Sequence, residues 1–152
     1  MNDKKNSINQ FMSASSLYAI LALVTGVFYR EFTKFNGFTG KTMLSIVHTH
    51  YFVLGMVFFI LLVLLEKAFA FTNDKTKKIV VAYHIGLNLT TIMFLVRGVF
   101  QTLATPLSPG ASAAISGIAG IGHISLAISL VMILLAIKKA IKVSGKPVVS
   151  VN

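Results

Sequence analysis

Four apolar stretches, each long enough to cross a bilayer, leave this chain few ways to fold. They run from about 11 to 32, 43 to 66, 79 to 103 and 111 to 138. About 20 helical residues cross a hydrocarbon core about 30 Å thick. The connections are short, and Pro106, Pro109 and Gly110 punctuate the third as a turn. Short loops between consecutive spans favour antiparallel neighbours. The expected fold class is all-α: one integral membrane domain over residues 1–152, a four-helix up-down bundle.

Composition agrees. The chain is 55% hydrophobic and 12% charged, where a soluble domain carries about 25% charged residues. Its mean hydropathy is +0.81. The net charge of +10 reads as loop lysines held at an anionic membrane face rather than as a nucleic-acid surface. No nucleic-acid partner is expected. With no cysteine, disulfides, thiolate metal sites, iron–sulfur clusters and thiol nucleophiles are excluded. The polar segment Met1 to Gln10 leads into an apolar run that lacks a small-residue cleavage pattern, so that run is read as a span and not as a removed signal peptide.

Basic residues set the expected orientation. Lys4, Lys5, Lys67, Lys75, Lys77, Lys78, Lys138, Lys139, Lys142 and Lys146 fall on one side, ten of the fourteen. Arg30, Lys34, Lys41 and Arg97 fall on the other. The positive-inside rule then puts both termini in the cytoplasm.

Ionisable side chains inside a bilayer are expensive and mark sites. His48 and His50 sit at the head of the second span. Two residues apart on a helix, they point about 200° away from each other. Each must face a different neighbour, so this helix is expected to lie between two packed surfaces, which implies a homo-oligomer. His123 follows three glycines, 117, 120 and 122. Helical rise puts it about 15 Å below the outer end of its span, and His50 about 10 Å below the outer end of its own. The two are close enough in depth to share a cofactor. His84 lies near the inner end, roughly 20 Å away along the membrane normal, and reads as interfacial or locally hydrogen-bonded. Arg97 has two readings, a snorkelling interfacial cation or a bidentate partner for a heme propionate; Arg30 could serve the same carboxylate.

No Asp or Glu lies mid-span: Glu31, Glu66 and Asp74 fall at ends or in loops. That argues against a carboxylate proton relay, a carboxylate-rich metal site and hydrolase chemistry. Neutral imidazoles among many Phe suit heme iron or copper. Zinc or copper needs three or four close ligands, which the split of His48 from His50 prevents within one protomer. The expectation is a b-type heme, ligated from among His48, His50 and His123. The alternatives are a cofactor-free structural or accessory membrane protein and a histidine-only copper or zinc binder.

The segment His48-Thr49-His50-Tyr51-Phe52-Val53-Leu54-Gly55, with Glu66-Lys67 and Gly122-His123, resembles a family of small, uncharacterised four-helix bacterial membrane proteins with an H-x-H-x-x-x-L-G pattern on the second helix. More distantly, it resembles the second helix of the catalytic subunit of heme–copper oxidases and nitric oxide reductases. There His48 matches an axial ligand of the low-spin heme. That subunit has twelve helices in three arcs of four, with hemes between arcs. The resemblance therefore implies a homotrimer in the bacterial cytoplasmic membrane, with heme held by His48 of one protomer and His50 of the next. His123, within one bundle, is the second choice of ligand. The chain lacks the paired His-His copper motif and the active-site tyrosine spacing of that family, so oxygen or nitric oxide reduction is not implied.

Overall fold

The computed structural model describes residues 2 to 144; Lys146, counted above with the basic side, lies outside the described residues. Four helices account for most of them: α1 (Asn2–Phe35), α2 (Leu44–Phe69), α3 (Asp74–Thr102) and α4 (Pro109–Ser144). No strand occurs among the described residues. All four are long and apolar enough to cross a membrane.

Each apolar stretch lies inside a longer helix, because apolarity marks the depth of the lipid and not the end of the backbone ladder. α3 begins at Asp74, ahead of its apolar part, because Asn73 caps it: the Asn73 side chain accepts from the Thr76 amide at 3.1 Å. Asp74 in the first turn suits the positive end of the helix dipole. α2 stops at Ala70, which is left-handed at φ 47° and returns its amide to the Glu66 carbonyl.

Contacts at the helix ends fix the up-down order. Lys4 at the start of α1 donates to the Lys67 carbonyl at the end of α2 (2.9 Å). Thr42, just before α2, donates to the Gly98 carbonyl near the end of α3 (2.9 Å). Arg97, one residue earlier, donates to Ser112 near the start of α4. α1 packs along the length of α2, and α2 and α4 both pack on α3. Packing of α4 on α2 is concentrated in the part Phe58–Phe69, and α1 and α4 do not pack along each other. The antiparallel order is as expected, but the ring of four helices is open. α2 and α3 are the central pair, with α1 and α4 in the outer positions.

Buried positions follow the helical period. On α3 they include Thr76, Val80, Tyr83, Leu87, Thr91, Phe94, Gly98 and Thr102, at steps of three or four residues. On α4 they begin only at Gly122, and its earlier turns are joined to α3 through Arg97. On α2 the buried residues Tyr51, Gly55 and Phe59 are four apart. The stretch Tyr51–Val57 is a π-helix. Its i→i+5 ladder turns the chain less per residue than an α-helix does. All three residues therefore meet one side chain of α1: Tyr51 and Phe59 each stack on Tyr18 at 5.7 Å. A Cβ on Gly55 would fall 2.6 Å from Tyr18.

Candidate functional site

The first half of α2 presents its two histidines to opposite neighbours, as their spacing requires. His48 turns toward α1. Its side chain lies 3.6 Å from where a Cβ on Gly26 would stand, and its ring stacks over Tyr29 at 6.2 Å and 13°. A groove of about 420 Å³ opens there, lined by Leu23, Gly26, Val27, Arg30, His48 and Phe52 among others. His48 Nδ1 is buried and has no hydrogen-bond partner among the described residues.

His50 turns the other way, toward α3 and α4, and meets His123. The two ring centres are 6.2 Å apart and the planes are nearly perpendicular, at 87°. Phe94 of α3 touches both rings, at 5.2 Å and 5.4 Å. The pair is placed by the packing just described. α3 supplies Phe94 beside both, and the Gly86–Gly122 crossing sets α4 against α3 one residue before His123. A Cβ on Gly122 would fall 2.6 Å from Thr90 Oγ1, whereas Gly117 and Gly120 face open space. Of the three glycines, then, only Gly122 permits close helix approach, and the other two leave room beside the histidine.

Both rings are held in the same tautomer. His50 Nδ1 lies 2.9 Å from the Ile46 carbonyl oxygen, and His123 Nδ1 lies 3.0 Å from that of Ala119. A carbonyl only accepts, so each Nδ1 carries the hydrogen and donates. In the neutral ring this leaves the lone pair on Nε2, the form in which a histidine binds a metal. His48 has no such acceptor and is not preset in this way. The structure thus brings together the ligand candidates His50 and His123, and holds His48 apart from them on the far side of α2.

Metal–imidazole bonds of about 2.0–2.1 Å on each side of one ion, plus a little over 1 Å to each ring centre, put two such rings about 6.3 Å apart. The observed 6.2 Å fits. A protein-only zinc or copper site needs more donors, and no group of three His, Cys, Asp or Glu converges among the described residues. His50 and His123 could together hold a heme iron, whereas those ions would need further donors.

The arginines divide. Arg97 does not snorkel freely: its Nη2 donates to the Ser112 carbonyl (2.9 Å) and to Ser116 Oγ (2.7 Å), tying α3 to α4. Ser112, Ser116, Ala119 and His123 recur at three and four residues, so Arg97 sits on the same face of α4 as His123. Arg30 lies on the His48 side, exposed, 3.7 Å from Glu31.

His84 is the locally hydrogen-bonded residue of its two readings. Its Nδ1 lies 2.6 Å from Tyr18 Oη, and its ring packs against both Tyr18 and Phe59. Asn88 completes a network across α1, α2 and α3: its amide donates to Tyr18 Oη (3.0 Å), and its oxygen accepts from Tyr51 (3.2 Å). Sequence reasoning missed one buried group, Glu66. It is 1% exposed, and its Oε2 accepts from the amide and the hydroxyl of Thr72. A hydroxyl six residues beyond a helix-end carboxylate was the available signal.

Fold and site together define the class: an all-helical protein with four helices able to cross a membrane and a pair of histidines facing each other between the second and fourth. The chain belongs to DUF2871, a family described as proteins of unknown function, which matches residues 8–140. No curated protein and no solved structure matches it.

Proposed function

We propose that this is a multi-pass protein of the bacterial cytoplasmic membrane that binds b-type heme, with His50 and His123 as the axial ligands. The observation that carries the reading is the pair of imidazoles 6.2 Å apart, each with Nδ1–H tied to the carbonyl one turn before it. Those backbone bonds fix ring orientation and raise ligand basicity. Phe94 keeps water from the space between the rings. The open face of α4 at Gly117 and Gly120 gives room for a flat macrocycle. Arg97 retains its Nε and Nη1 hydrogens for a carboxylate beside the site, its Nη2 being held by α4. Heme so bound supplies one-electron transfer, or gas binding where one histidine releases.

Both termini lie in the cytoplasm on this reading, since the lysine-rich end of the bundle is the one that carries them. The open ring of helices suits a homo-oligomer, and the resemblance to one arc of a heme–copper oxidase favours three copies. The His48–His50 pairing across protomers is the second reading, favoured by the buried, unpartnered Nδ1 of His48.

The test is an absorption spectrum of detergent-purified protein, air-oxidised and then dithionite-reduced, with heme quantified per chain. One heme per chain with a sharp reduced α band is expected, lost in both His50→Ala and His123→Ala and kept in His84→Ala. Loss in His48→Ala with retention in His123→Ala would replace the first pairing by the second. A colourless protein that takes up no added heme would overturn both and leave a cofactor-free accessory protein, or a copper or zinc binder if metal analysis finds the ion.

A further inference from the structure

At the end of the bundle that carries both helix termini, a groove of about 510 Å³ lies between the α2–α3 connection and the last turns of α4. Its wall is mixed. Phe69, Phe71, Met132 and Leu135 supply apolar surface, and Lys75 and Lys139 stand at it from two different elements. A second hollow of about 350 Å³ shares Lys75, Ile79 and Met132 with the first. It continues between α3 and α4 past Ala82, Ser125 and Ile128. From Lys75 to Ala82 the helix advances about 10 Å toward the middle of the bundle. The two hollows make one track, cationic at its mouth and apolar along its length.

The cations at the mouth have no ion-pair partner among the described residues. Among the described residues, Asp74 is paired with Lys77 at 3.2 Å. Glu66 is buried on Thr72, and Glu31 belongs to the opposite end of the bundle. Neither Lys75 nor Lys139 has an ion pair, and Lys78 adds a third positive charge beside the track. An anion from outside the chain would suit them. A soluble anion would leave the apolar part of the track unused. A phosphate carrying an acyl chain uses both parts, and basic pockets between membrane helices are known to hold such headgroups.

The geometry points to a binding site for one anionic phospholipid, its phosphate between Lys75 and Lys139 and one acyl chain along the α3–α4 groove. This is independent of heme. It gives α4, which packs on α2 far less than on α3, a lipid wedge against the α2–α3 connection.

The experiment is native mass spectrometry of the full chain released from detergent, with dioleoylphosphatidylglycerol and dioleoylphosphatidylcholine added in turn. Wild type is expected to retain one phosphatidylglycerol in preference to phosphatidylcholine. Each lysine beside an anionic headgroup is worth about a factor of five. Lys75→Gln with Lys139→Gln should therefore weaken retention about 25-fold. Lys4→Gln with Lys5→Gln removes the same charge elsewhere and should change it less than twofold. Ala136→Phe, which narrows the groove at unchanged charge, should also weaken it. Equal retention by the two double variants would overturn the site. Equal retention of the two lipids would do the same. Displacement of the lipid by millimolar inorganic phosphate would reduce it to a free phosphate site.

Discussion

The crossing of α3 over α4 can be tested by putting a methyl group where the structure has none. A Cβ on Gly86 would stand 2.7 Å from Leu126 N, 2.9 Å from the Gly122 carbonyl oxygen and 3.0 Å from Leu126 Cα. All three are backbone atoms of α4, so no side-chain rotation relieves the clash. Reaching an ordinary contact of 3.4 Å moves the helices apart by 3.4 − 2.7, or about 0.7 Å at the tightest atom. Overpacking of this kind costs about 1–3 kcal/mol. The control is Gly120→Ala, whose Cβ meets nothing within 4 Å. Both substitutions gain the same helix propensity, about 1 kcal/mol, so the difference between them isolates the clash. Unfolding by SDS from a mild detergent, followed by far-ultraviolet circular dichroism, should place Gly86→Ala about 1–3 kcal/mol below Gly120→Ala. Since His123 directly follows Gly122, the same displacement should, on the proposed heme reading, also weaken heme retention in Gly86→Ala. Equal stability of the two variants would refute the close approach and, with it, the placement of His123.

Two further substitutions probe buried polar groups. Tyr18→Phe removes the hydroxyl that satisfies both His84 Nδ1 and Asn88 Nδ2; the same unfolding assay should show a loss of about 1–3 kcal/mol, and His84→Ala in that background should add less than it does alone, because the two share one network. Glu66→Ala strips the acceptor from the Thr72 amide and hydroxyl and leaves a hole in the α2–α3 turn; a similar loss is expected, with cleavage in the 70–73 connection by added protease rising in parallel.

Much of this architecture could be read from residue order, for a physical reason in each case. Lipid allows only internally satisfied backbone, so four apolar runs meant four helices. The 100° per residue of a helix was enough to send His48 and His50 to different neighbours. Depth along the span was enough to bring His50 level with His123. Rotation about the helix axis was harder. Gly117, Gly120 and Gly122 look alike in sequence, yet only Gly122 faces α3. Arg97 reads as an interfacial cation, yet the small hydroxyl of Ser116 on the next helix takes its guanidinium. Glu66 reads as a solvated helix end because the Thr72 that partners it arrives only when the chain turns back. The capped start of α3 at Asn73 was legible as chemistry, but apolarity placed the helix start at Ile79 instead.

The π segment of α2 bears on how the two halves of that helix are clocked. Residues 51–57 hold one amino acid more than an α-helix would need to span the same turns. Deleting any one of them would let the ordinary ladder re-form with the two halves still aligned, whereas re-forming that ladder with all seven residues kept would swing everything before the seam by about 100°. His50 would leave His123 while Phe59 and Leu62 stayed seated on their neighbours. The segment therefore works as a coupling between two shafts: the half that follows is locked by packing, and the setting of the seam decides which way the histidines point.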